Sequence, residues 1–225
     1  MSQAPQNSNP NSHNALRTLL RRLRHLSAAG AAKLLGLLAC TNIKYYYIFV
    51  QATLERWTGL YDIAASQSGY FTTAQASEGE FSLQLLEHHL ATGRLLRVQR
   101  GIYRLTHFPS GEHDDLVVIW LWSQHKGVFS HGTALALHEL SDYLPVRYHL
   151  TVPLEWKKRR LKVPPQTELH YADLSSQEKR HFSCFLVTSP ERTLADCRAD
   201  GLSPEFMMQA EAQAKQRGLL SRRSR

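Results

Sequence analysis

Between Gly69 and Leu105 the apolar spacing changes from a helical to a strand period. That change restricts the segment to two short helices followed by a hairpin. Thr72 and Thr73 each offer an N-cap hydroxyl for a short helix ending near Ser77. Glu78-Gly79-Glu80 reads as a turn in which Gly79 takes positive φ, and Ser82 caps a second helix. Along that helix Leu83, Leu86 and Leu90, flanked by Leu85, recur at three- and four-residue steps, leaving Gln84, Glu87, His88 and His89 pointing elsewhere. Gly93 ends it. Leu95-Leu96-Arg97-Val98 and Ile102-Tyr103-Arg104-Leu105 then alternate around Gln99-Arg100-Gly101, predicting a two-stranded hairpin with arginines at its tip and sides.

Leu54, Trp57, Leu60, Tyr61, Ala64 and Ala65 recur at helical spacing from about Thr53, predicting a first helix that buries Trp57, Leu60 and Ala64 against the second of the pair. Three helices and a basic hairpin in this order are a winged helix-turn-helix. Such a module lays its second helix in the major groove of DNA. Gln84 and His88 are then the expected base-edge readers, and Arg97, Arg100 and Arg104 the phosphate contacts, with Thr73, Gln75 and Ser82 counted alongside them. The competing reading is a helical hairpin with a solvated face; the basic hairpin directly after the helix favours DNA.

Net charge adds less than it suggests. The chain has 225 residues, a formal charge of +8 and a pI near 9.6, but Arg17, Arg21, Arg22, Arg24, Lys33 and Lys44 stand in residues 1–50 without an acid, so the rest contributes only +2. The case for a polyanionic partner therefore rests on local patches. The length suits two small domains, expected at 51–106 (the winged module) and 107–225. Cys40, Cys184 and Cys197 have no metal-ligand spacing, and a reduced, cytoplasmic compartment fits them. No cofactor motif is present.

Residues 1–50 form a separate extension. Residues 1–16 have a disordered composition, rich in Asn, Ser, Gln and Pro. Arg17 to Cys40 follows the order of a signal peptide, and Leu37-Leu38-Ala39-Cys40 resembles a lipoprotein processing site. Against export stand the long polar lead and Lys33. Residues 34–50 are too short and too polar to span a bilayer, which takes about 20 largely apolar residues. A third reading starts translation near Val50, since Met1 is the only methionine before Met207.

After a Pro- and Gly-containing linker, Thr106 to Asp114, the pattern predicts a helix over Asp115–Gln124 and then alternating elements. These are a strand at Val128–Ser130, a helix at Thr133–Leu140 capped by Ser130 or Thr133, strands at Tyr148–Val152, Glu168–Tyr171 and Phe185–Thr188, and helices at Pro190–Asp200 and Pro204–Arg217. The fold class is α+β: an N-terminal winged helix-turn-helix followed by a mixed α/β domain. Ser189-Pro190-Glu191 is a strong helix start.

Several segments together resemble the AbiEi family. They are Gly69–Ala76, Gly93–Leu105, Ser130-His131-Gly132-Thr133-Ala134-Leu135-Ala136-Leu137-His138 and Thr188-Ser189-Pro190-Glu191-Arg192-Thr193-Leu194-Ala195-Asp196, in family order across about residues 57–220. The resemblance implies a bacterial antitoxin of a type IV toxin–antitoxin pair that binds inverted repeats in its own promoter. It implies no enzymatic activity, and as functional partner a nucleotidyltransferase-type toxin with which a direct complex is not required. More sequence is expected after Leu220, so the second domain reads as shortened.

Other constellations compete for attention in that domain. Asp142 and Glu155-Trp156-Lys157 have the acid…acid-x-Lys spacing of metal-dependent nucleases, the alternative function for the chain. His131 and His138 fall on one helix face, with His149 further on, but without a third ligand nearby; His131 is read as part of a helix cap. Lys157, Lys158, Arg159 and Arg160 form the densest basic run, either a solvated loop or a second nucleic-acid contact. Arg192 and Asp196 are an i,i+4 pair with an expected structural role.

Overall fold

The computed structural model describes residues 55–220. Expectations for the extension at 1–50 and for Ser221–Arg225 lie outside them. The fold is mixed α+β. Helix α1 runs over residues 55–65. It is followed by β1 (Tyr70–Thr72), α2 (Thr73–Glu78), α3 (Leu83–Ala91) and the hairpin β2 (Leu95–Gln99) and β3 (Ile102–Leu105). Strand β1 pairs antiparallel with β3, making a three-stranded sheet of order β1-β3-β2, with an irregularity in register between Arg97 and Gln99.

The remaining elements are α4 (Asp114–Trp122), β4 (Val128–Phe129), α5 (His131–Leu137), β5 (Tyr148–Val152), a 3-10 turn at Leu154–Lys158, β6 (Thr167–Tyr171), a second at Ser176–Glu178, β7 (Lys179–Phe182), β8 (Phe185–Thr188), α6 (Pro190–Ala199) and α7 (Pro204–Gln216). The five strands form one mixed sheet of order β6-β5-β4-β8-β7. Pairs β5/β6 and β4/β8 are parallel; β4/β5 and β7/β8 are antiparallel.

Burial explains which patterns became which elements. Leu116, Val117, Ile119 and Leu121 of α4 are all buried, so this helix is apolar around most of its girth and sits between layers. It packs in one cluster with Phe129, Leu150, Val152, Phe185 and Val187 of the larger sheet and with Tyr70 and Ile102 of the smaller one. A second core joins Leu60, Ala64, Phe71, Ala76, Phe81, Leu86, Leu95 and Tyr103. A third packs α5, α6 and α7 through Leu135, Leu194, Met207 and Ala210. Each fully buried large side chain contributes about 1.5–3 kcal/mol relative to exposure.

Three local expectations are corrected. Gly79 has φ −83°, and the positive φ falls on Glu80 at 61°. The helix hydrogen bonding runs one residue further than the turn residues suggest, Gly79 donating to the Gln75 carbonyl at 3.1 Å, so the chain reverses at Glu80. Leu83 at the start of α3 is 63% exposed, whereas His89 is 5% exposed and takes a place in the apolar face, its ring edge-on to Trp57 at 4.6 Å. His131 is not the cap of α5: Ser130 holds the N-cap position with extended backbone, and His131 is the first helical residue.

Candidate nucleic-acid interface

The start of α2 is built on a capping box. Thr72 Oγ1 accepts from the Gln75 amide at 3.2 Å, and Gln75 Oε1 accepts from the Thr72 amide at 2.9 Å. Gln75 Nε2 donates to Gln67 Oε1 at 3.0 Å, and the same oxygen lies 3.1 Å from His125 Nε2. The Gln75 side chain is thus held inside the fold. Thr73 donates through its amide to the Gly101 carbonyl at 2.9 Å and faces the same oxygen with its hydroxyl at 3.3 Å, which fastens the hairpin tip to the start of α2. Gly101 has φ +79°, a conformation that side-chain-bearing residues adopt at a cost.

Helix α3 starts at Ser82, whose Oγ accepts from the Leu85 amide at 3.2 Å. Leu86 and His89 turn inward, and Leu85 and Leu90 are half-buried. Gln84, Glu87 and His88 are left exposed along the opposite side. Burial lowers the pKa of His89, followed by the charges of Arg94 and His88, so the imidazole is held neutral against Trp57 and Phe81.

Arg97 and Arg100 are exposed on the hairpin, beside exposed Leu96 and Val98. Arg104 differs. Its side chain is 12% exposed, pairs with Asp114 at 3.7 Å, donates to the Phe108 carbonyl at 2.9 Å and to Ser110 Oγ at 3.2 Å, and lies 5.4 Å over the Tyr70 ring. Its guanidinium ties the hairpin to the segment leading into α4. Tyr70 beside it has its pKa raised, by burial first and then by Asp114.

The second basic run, Lys157 to Arg160, is exposed on and just after the 3-10 turn. Arg159 lies 4.9 Å over the Trp156 ring and pairs with Glu155 at 3.5 Å. Asp142 is engaged elsewhere, accepting at 2.6 Å from Gln209 of α7. The spacing of Asp142, Glu155 and Lys157 therefore corresponds to acids with different partners, and neither acid belongs to a potential ligand cluster among the described residues.

The histidines also sort differently from the sequence. His138 Nε2 meets the Thr188 carbonyl at 2.8 Å. His131 Nδ1 lies 2.9 Å from Ser130 Oγ, its ring stacked on His170 at 3.6 Å, and His149 Nδ1 faces His170 Nε2 at 3.0 Å. Burial above all, then His170 and His149, pushes His131 down to about 4. His170 and Glu168 went unnoticed in the sequence, although Glu168-x-His170 on a strand places both side chains on one face. Arg192 has the expected structural role and more: it bonds Asp196 at 2.7 Å and also Glu178, joining α6 to the turn before β7. The Ser175 amide, the Arg192 guanidinium and the Ser175 hydroxyl together draw Glu178 down to about 2.

The elements around α3 and the hairpin define a mixed α+β protein that presents a polar helix face beside an exposed basic hairpin. Residues 60–106 match the family model of the AbiEi antitoxin, a transcriptional regulator. Over that segment the chain is similar to this family of regulatory antitoxins. The match takes in Gly69–Ala76 and Gly93–Leu105; Ser130–His138 and Thr188–Asp196 lie beyond it. A search of curated proteins returns no match. Among the described residues no helix is long and apolar enough to cross a membrane.

Proposed function

We propose that residues 51–106 act as a winged helix-turn-helix that binds inverted repeats in the promoter of its own operon and represses it. The observation that carries this reading is the exposed row Gln84, Glu87 and His88 on α3 beside Arg97 and Arg100 on the hairpin. Gln84 and His88 read base edges; Arg97 and Arg100 neutralise phosphates. Thr73, Gln75, Ser82 and Arg104 support that surface indirectly, since their side chains cap helices or hold the hairpin.

Residues 107–225 form the α/β antitoxin domain, which counters a nucleotidyltransferase-type toxin without enzymatic activity of its own. Lys157, Lys158, Arg159 and Arg160 supply a second nucleic-acid contact. A cytoplasmic location follows from an operator target. The test is a gel-shift titration of the full chain against the DNA upstream of its gene, with scrambled competitor at two salt concentrations. Specific, salt-sensitive retardation supports the reading; weak binding without preference sinks it.

A further inference from the structure

We propose that His149, Glu168 and His170 bind one divalent transition-metal ion of the zinc type. This site lies on the larger sheet, away from the helix pair and hairpin, and is independent of the DNA-binding reading.

The parallel register of β5 and β6 pairs His149 with Glu168, which puts both side chains on one face, and His170, two residues on, joins them there. One ligand atom from each lies within 4.8 Å of the other two. His149 Nδ1 and His170 Nε2 are 3.0 Å apart. Two donors on a tetrahedral zinc with bonds of about 2.0–2.1 Å stand about 3.3 Å apart. The imidazoles are thus already spaced as adjacent ligands.

Their neighbours fix them. His149 is 9% exposed, and its amide donates to Thr133 Oγ1 at 2.8 Å. The His170 ring stacks on His131 at 3.6 Å. The half-buried Glu168 carboxylate forms no hydrogen bond or ion pair with another described residue, so rotation of its side chain toward the two nitrogens breaks nothing. The carboxylate is thus available to complete a three-ligand set with the two histidines.

The donor set selects the metal. Two imidazoles and one carboxylate suit zinc and its neighbours, whereas calcium and magnesium take oxygen. Three protein ligands leave a fourth position for water or another ligand. His149 also lines a cavity of about 260 Å³ with His131, Tyr143, Cys197 and Asp200, which gives such a ligand room beside the cluster.

The experiment is titration of untagged, chelator-stripped full-length protein with Zn²⁺ by calorimetry and with Co²⁺ by visible absorption. One equivalent is expected to bind, Co²⁺ giving the bands of a four-coordinate ion and Zn²⁺ displacing it. His170→Gln should abolish the bands. Glu168→Gln should weaken binding by more than the roughly 10–100-fold that loss of an outer hydrogen-bond partner causes. His138→Gln, outside the cluster, should leave binding intact. Should His170→Gln lower the melting temperature too far for titration, the half-buried Glu168→Gln decides the matter. Absence of stoichiometric binding, or binding unchanged in Glu168→Gln, overturns the proposal and leaves His149 and His170 as a hydrogen-bonded pair.

Discussion

The three arginines of the hairpin should respond differently to removal, and salt tells them apart. Each phosphate contact contributes about 0.9 to the slope of log K against log salt on duplex DNA. Between 50 and 200 mM salt one contact therefore changes affinity by about 3.5-fold. Arg97 and Arg100 are exposed, so Arg97→Ala and Arg100→Ala should each reduce the slope by about 0.9 and weaken binding to every sequence alike. Arg104 is committed to Asp114, Phe108 and Ser110 at 3.7, 2.9 and 3.2 Å. Arg104→Ala should leave the slope unchanged and cost about 1–3 kcal/mol of folding stability, the range for leaving hydrogen-bonded partners unsatisfied. The assay is fluorescence anisotropy of operator and scrambled duplexes at four salt concentrations, with a urea melt of each variant. An unchanged slope in Arg100→Ala, or a sequence-selective loss, would refute the reasoning.

Other perturbations have defined outcomes. Leu86→Ala, at a residue 1% exposed, should cost about 2–5 kcal/mol in denaturant unfolding and abolish DNA binding at the melting temperature of the variant. His89 has a pKa below its ordinary 6.5, so it stabilises the fold above pH 6.5 and that contribution is lost as pH falls through the folded value; His89→Leu should flatten the loss, read by Trp57 fluorescence. Glu178 stabilises above its ordinary 4.5, and the contribution disappears as pH falls toward about 2, so Glu178→Gln should remove acid sensitivity in that window of a thermal melt. Charge reversal of Lys157, Lys158, Arg159 and Arg160 together should flatten the salt dependence of binding; an unaltered slope removes the run from the interface.

Strands that combine burial with β-branched or aromatic residues were legible: Tyr148–Val152 and Phe185–Thr188 have the limits the pattern predicts. So was α6, because Ser189 accepts from the Arg192 amide at 3.3 Å and proline opens the helix. Strand β1 was not, since three residues carry no period, and its pairing with β3 is a long-range property. Strand β7 was missed because Lys-Arg-His-Phe is a polar edge, the composition that keeps a strand from pairing further. At the candidate interface, periodicity gave the two helices and the hairpin but not the commitments of single side chains. Gln75 and Arg104 look free in sequence because Gln67, His125 and Asp114 reach them only through folding. The His149–Glu168–His170 cluster was hidden for the same reason: strand register, not spacing, brings His149 beside the other two.

Tyr70 and Ile102 share their apolar cluster with α4 and the larger sheet, while Phe71 and Tyr103, one residue along on the same strands, face the other way into the helices. The small sheet is a partition wall with a tenant on each side. A fragment ending at Leu105 would turn one of those sides to water, so the segment is a poor cassette for transplantation. Repacking on the α4 side reaches the strands of the basic hairpin, which makes the footing of that exposed surface adjustable from residues buried behind it.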